Sequence, residues 1–397
     1  MTDQNNSRRY DLDWLRVIAF GLLILYHIGM FYVSWGWHVK SPHAGPFAEP
    51  AMSLLNPWRL SLLFLISGVA LRFAVDKPIA ASTFAGRRFL RLFIPLVFGM
   101  AVIVAPQSYF ELLAKGEITE GYMAFYARYL SADDSFSVIV PTWNHLWYLV
   151  YLIAYSMIII PLMPLVRRLA AWLDSAPVER IMAGGRIFIL PGLLFLLYRF
   201  TTDMWFPRES HAFWGDWGAH ARYGSYFLIG IMIAKNQAFW RVLANSWRIG
   251  VVIVISLAVV LSPLWANWDW VETQPLLRDA ARAMRVIYAW AMIATLMGAA
   301  QHYLNRPSVR LSYLSQAIFP YYTLHQTLIV MLGVFFAPFG FVAPVEFMLL
   351  LVGTIAGCVL IYEYIIRRVP LLRPLFGVPM RDKKDAMRLG VESPGGA

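Results

Sequence analysis

The chain has 397 residues, 59% of them hydrophobic and 14% charged, against roughly 25% charged in ordinary soluble domains. With a mean hydropathy of +0.57, this excludes a soluble globular enzyme and implies an all-α polytopic membrane protein. The net charge of +11 comes from basic residues that alternate with apolar runs, which points to membrane topology and an anionic leaflet or ligand rather than nucleic acid.

Apolar runs of spanning length predict ten helices, over 13–36, 53–74, 92–109, 143–164, 187–203, 222–235, 249–266, 284–303, 313–336 and 345–366. Arg8 and Arg9 precede the first, but it is too long for a signal peptide and has no small-residue cleavage site, so it reads as a retained span. The sixth is short and glycine-rich. Basic residues favour one set of connections by roughly three to one, which places both termini in the cytoplasm. Residues 1–376 read as one transmembrane domain. Residues 377–397 read as a basic, Gly/Pro-containing cytoplasmic tail, disordered at its end. The outer segment 110–142 mixes acids with aromatics and reads as a structured loop. The single cysteine, Cys358, lies in the last run; it excludes an internal disulfide and a thiolate metal cluster, and reads as a small core residue.

Ionisable groups inside apolar runs are costly unless they face a bundle interior or a wet cavity. Arg16 and His27 stand eleven residues apart in the first run, so on a helix they share a face about 16 Å apart. Asp13 lies near the same stripe. The structural alternative is an interfacial Arg and a His bonded in the bundle core. Trp37 and His38 form an outer pair, and His38 falls on the His27 face if the helix continues. Arg59 enters the second run and either snorkels or faces a cavity. Ser67-Gly68 is a small pair that admits a close helix.

Arg88 and Arg91 share a face at the inner edge of the third run, where two guanidinium forks suit phosphate; a charge cluster serving topology alone is the other reading. The fourth run opens Trp143-Asn-His145-Leu-Trp147-Tyr148. These residues serve either as an aromatic belt or as a carbohydrate platform. His325 and Glu363 lie within the last two runs, and Glu363 is expected to meet an inner arginine such as Arg16 or Arg91. No Walker loop, HExxH, CxxC or GxSxG is present, and no spacing argues for a metal.

Asp13-x-x-Arg16 with His27, Phe64-Leu-Ile-Ser67-Gly68 and Arg88-x-x-Arg91 together resemble the acyltransferase 3 family of integral membrane acyltransferases. His145-Leu-Trp147-Tyr148, Tyr322-x-x-His325 and Tyr362-Glu363 are similar to runs of its branch that succinylates osmoregulated periplasmic glucans. The resemblance implies transfer of a succinyl or acetyl group from cytoplasmic acyl-CoA, a donor substrate rather than a resident cofactor, to a periplasmic glycan. It assigns His27 and Arg16 to catalysis and Arg88 and Arg91 to CoA.

The acceptor is expected to enter past Trp37, His38, His145 and Trp147, with Arg59, Tyr148 and His325 also near substrate. Asp13, Ser67, Gly68 and Glu363 are expected to support the site. Neutral His27 acts as general base, or as a nucleophile through an acyl-imidazole. Arg59, Tyr148 and Ser67 are candidate oxyanion donors. Arg59, Arg199 and Arg282 are candidate cations for a charged acyl group. The competing readings are a proton-coupled transporter of a small anionic or sugar substrate, and a lipid-binding scaffold. Membrane lipid is an expected contact in each case.

Overall fold

A computed structural model describes residues 9–206 and 209–380. Arg8, Arg208 and the tail from residue 381 onward, on which part of the charge reading and the tail reading rest, lie outside the described residues. Among the described residues there are helices and turns but no strand. In chain order the helices used below are α1 (Tyr10–Tyr32), α2 (Arg59–Val75), α3 (Ala81–Phe98), α4 (Ala105–Ala114), α5 (Tyr122–Leu130), α6 (Trp147–Leu173), α7 (Leu190–Phe200), α8 (Trp217–Ile233), α9 (Gln237–Ala266), α10 (Pro275–Tyr303), α11 (Val309–Phe336) and α12 (Ala343–Leu360).

Among the described residues, eight segments are long and apolar enough to cross a membrane, nine if one bent pair is a single span. The protein is a polytopic helical membrane protein. Two of the ten expected spans depart from a simple crossing. The fifth, expected over 187–203, falls in the second arm of a bent pair: Ala176–Met182 meets Gly184–Phe200 at 86°, and Gly184 supplies the bend with a φ of +64°, a conformation that glycine adopts without a Cβ penalty. The sixth, α8, has 17 residues and is about 25 Å long, short of a hydrocarbon core of about 30 Å.

The chain divides into two compact units. In the first, residues 9–89 and 147–315, α8 lies against α2 with the two backbones touching. A Cβ on Gly68 would collide with the Phe227 carbonyl oxygen, and one on Gly230 with that of Leu65. Small residues at a crossing let main chains approach and gain dispersion contacts along their length. The apolar centre beside this crossing includes Phe64, Tyr226 and Trp290, all buried, with Tyr226 stacked on Phe195 at 4.2 Å.

α1 begins with Asp11 and Asp13 in its first turn, where carboxylates favour the positive end of the helix dipole. It stops at Tyr32, four residues before the expected end at 36. Lys40 folds back and donates to the carbonyls of Met30 at 2.7 Å and Val33 at 2.8 Å, a cation on helix-terminal acceptors. Because the helix ends there, Trp37 and His38 are off it and His38 does not continue the His27 face.

The second unit holds residues 90–146 and 316–380. Here α3 runs through a π turn, Gly99–Ile103, into α4. The wider turn disturbs the regular carbonyl pairing, and three hydroxyls bind carbonyls in it: Tyr129 to Met100 at 2.7 Å, Tyr126 to Ala101 at 3.1 Å and Thr327 to Ile103 at 2.6 Å. The segment 110–142 is ordered by α5 and by a core of Leu112, Ile118, Phe125, Tyr129 and Val140. Cys358 is a buried free thiol on α12.

Candidate active site

On α1, Arg16, Phe20 and His27 fall within about 40° of arc at 100° per residue. Phe20 identifies what this face meets: its ring lies edge-on to Tyr148 of α6, with centroids 6.5 Å apart. His27, half-buried, therefore stands on the face turned toward α6, about 10 Å further along the helix.

The Tyr148 hydroxyl is 2.6 Å from Ser67 Oγ of α2 and donates to the Leu63 carbonyl at 3.3 Å. The charges of Arg88 and Arg16 both act on it. Arg88 reaches inward, its Nε donating to Ser156 Oγ at 2.8 Å, while Ser156 donates to the Leu152 carbonyl. Tyr148 and Trp147 are buried, so neither sits in an interfacial belt. Ser67, Tyr148, Arg16 and Arg88 thus form a polar patch of hydroxyls and guanidinium groups inside the bundle of the first unit.

Arg16 contacts Asp13 at 3.4 Å, yet its buried Nε has no acceptor among the described residues. Arg59 is similar. It is 6% exposed, lies 3.3 Å over the Tyr26 ring and donates to Asn56, but its Nε is also buried without an acceptor. Buried donors are normally satisfied; here two guanidinium groups keep an unmet N–H, one on the His27 stripe and one against the adjacent Tyr26.

Beyond Arg59 lies a cluster that the sequence reading missed. His211 stacks on Trp147 at 4.1 Å and 13°, its backbone N–H bonds Asp216 Oδ2 at 2.8 Å, and Asp216 also accepts from Tyr151 at 2.7 Å. His220 Nε2 lies 2.7 Å from the Phe213 carbonyl, which can only accept, so Nδ1 accepts from Tyr155 at 3.1 Å. Glu209 pairs with Arg222 and accepts from Tyr223 at 2.8 Å. The only signal in the sequence is a density of His, Asp, Glu and Trp between 209 and 220.

His211, in the loop before α8, is pushed down by burial to about 4 from an ordinary 6.5; Asp216 opposes the shift and Arg59 adds to it. The unfolded chain therefore binds the extra proton first, and stability falls as pH drops from 6.5 toward 4, then levels off. His211→Gln is expected to flatten that part of the thermal-midpoint profile, measured by scanning fluorimetry across pH.

His145 and His325 belong to the second unit, where they are enclosed. His145 Nε2 donates to the Thr323 carbonyl at 3.1 Å, and Tyr322 donates to the His145 carbonyl at 2.6 Å. Gln107 lies 3.4 Å from His145 Nδ1, donates to Thr327 at 2.7 Å and accepts from Gln326 and Asn144. His325 is fully buried, with Nδ1 2.7 Å from the Tyr322 carbonyl. Arg91 is exposed where Arg88 is half-buried. Trp37 and His38 are half-buried neighbours. Glu363 pairs with Arg367, 2.7 Å away and one turn along the same segment, where a partner at i+4 costs no long-range contact.

The acyltransferase 3 model, described as an acyltransferase domain, matches residues 9–363. The chain belongs to the acyltransferase 3 family. Its curated relatives include proteins named glucans biosynthesis protein C. Those of Escherichia coli K12 and Shigella dysenteriae serotype 1 are 23% identical over 381 residues, covering 93% of this chain and 94% of theirs. That of Escherichia coli O139:H28 is 22% identical over 386 residues, with the same coverage. No solved structure matches. Within the acyltransferase 3 match lie α1 with Arg16 and His27, Ser67 of α2, Arg88 of α3 and Tyr148 of α6. The protein is a multi-pass membrane acyltransferase.

Proposed function

We propose that the protein moves an acyl group, succinyl or acetyl, from cytoplasmic acyl-CoA to a hydroxyl of a glucan outside the inner membrane, with both termini cytoplasmic. The observation that carries this reading is the α1 stripe: His27 follows Arg16 and Phe20 on one face, toward Tyr148, Ser67 and Arg88. The glucan acceptor rests on the names of the relatives.

Neutral His27 takes the proton of the attacking sugar hydroxyl as its oxygen bonds the thioester carbonyl carbon. The carbonyl becomes an oxyanion, for which the unmet N–H of Arg16 or Arg59 is the available donor. The oxyanion collapses, the carbon–sulfur bond breaks, and the imidazolium returns its proton to the departing CoA thiolate. Arg88 and Arg91 hold the CoA phosphates.

The test is consumption of radiolabelled acyl-CoA by the full chain in detergent, with and without linear or cyclic glucan. Label transferred to glucan supports the reading; substrate accumulated unchanged in vesicles, with no donor consumed, replaces it with transport. Arg88→Ala is expected to raise the KM for acyl-CoA about tenfold or more, in line with loss of a charge-assisted bond of about 1.5–3 kcal/mol, while the KM for glucan stays within about twofold.

A further inference from the structure

The first unit contains a cavity of about 380 Å³ whose lining, among the described residues, includes four arginines, Arg199, Arg222, Arg282 and Arg285, and no carboxylate. Phe195 and Tyr226 line it as well, and both are buried, so guanidinium groups share the cavity with an aromatic wall. Asp279 serves three guanidinium groups, lying 3.8 Å from Arg199, 3.2 Å from Arg278 and 3.9 Å from Arg282; Arg282 is also 3.8 Å from Glu272, and Arg222 pairs with Glu209. Arg199 and Arg278 both repel Arg282.

Like charges gathered around a hollow are held at a cost that an anion in the hollow removes. Arginine is the side chain suited to this, since its planar fork grips carboxylate and phosphate bidentately. The aromatic wall selects an anion with a short carbon stem over a bare inorganic ion.

We propose that this cavity is a binding site for a small organic anion: a carboxylate or phosphate head on a stem of a few carbons. A lipid headgroup fits less well. The exposed apolar stripe of α7, formed by Leu193, Leu197 and Phe200, lies on the side of the helix opposite Phe195, Tyr198 and Arg199 at 100° per residue, so acyl chains on that stripe lead away from the cavity. The anion is free in solution, carried on the transferred acyl group, or a substituent of the acceptor; the last two sources rest on the transfer reading given above.

Succinate and glycerol phosphate, titrated separately into the full chain in detergent at low salt, are the probes, with glycerol as the neutral control. Saturable binding of either anion, read by scanning fluorimetry and calorimetry, is expected, at least tenfold weaker in Arg282→Gln/Arg285→Gln and intermediate in Arg282→Lys, which keeps the charge and loses the fork. No saturable binding, or equal binding by wild type and the double variant, overturns the site. Should the double variant not fold, the Lys variant and competition between the two anions decide in its place.

Kinetics separate the sources. A KM that rises for succinyl-CoA and not acetyl-CoA assigns the anion to the acyl group. A KM that rises for charged glucan with either donor assigns it to the acceptor. Anion binding with no transfer by wild type from any donor leaves the site standing and removes the transfer reading instead.

Discussion

His27→Ala is expected to reduce transfer to glucan by about 10²–10⁴-fold, the range that a positioned general base supplies. The protein should remain in the membrane with an unchanged thermal midpoint, because the half-buried ring belongs to a helix whose packing rests on Leu12, Leu15, Leu23, Ile24, Ile28 and Phe31. Donor binding should also persist, since the arginines assigned to CoA lie on α3. His27→Gln separates two roles of the ring: it keeps a polar side chain of similar reach but has no basic nitrogen. Equal loss in Ala and Gln variants, with binding intact, is the signature of proton transfer. The measurement is glucan acylation in membranes lacking the native protein, alongside donor hydrolysis in detergent. Undiminished acylation by either variant ends the mechanism.

Gly68→Ala carries the largest expected cost in stability. The added methyl would meet the carbonyl oxygen of Phe227, a main-chain atom that yields only if α2 or α8 moves as a whole. Overpacking costs about 1–3 kcal/mol when flexible side chains can give way, and a backbone obstacle should put this variant at or above the top of that range. Gly230→Ala should behave alike, because its methyl would meet the Leu65 carbonyl across the same crossing. The double variant should cost less than the sum, since one displacement relieves both collisions. Gly86→Ala on α3 is the control: nothing lies within 4 Å, and alanine favours a helix over glycine by about 1 kcal/mol. Thermal midpoints of the four variants in one detergent settle the order; a Gly68→Ala protein as stable as Gly86→Ala would show that the helices are not in backbone contact.

What could be read from the chain follows from how local each feature is. The spans and the alignment of Arg16 with His27 depend on hydropathy and on a fixed helical repeat, and both are properties of one segment. Where a helix stops is less local: α1 ends at Tyr32 through Lys40, eight residues on, which no apolar count registers. The same holds for the break at Gly184, one glycine among 26 in the sequence. Trp147 and Tyr148 looked interfacial because they open an apolar run, yet partners from α1, α2 and the 209–216 loop bury them. His211 was invisible for a related reason, since its stacking on Trp147 joins residues 64 apart through a loop with no periodic signal. The Glu363–Arg367 pair, by contrast, is local, since the two residues are one helical turn apart in the sequence.

The Gly68–Gly230 crossing also governs where chemistry can drift over time. Ser67 adjoins it, so the place of its hydroxyl against Tyr148 is dictated by main chain resting on main chain, with no intervening side chain to soften the fit. The outward residues of α9, such as Val252, Ile255 and Val259, are largely exposed and can be exchanged among apolar types without disturbing that seat. Tolerance and exactness are thereby assigned to different helices of the same unit.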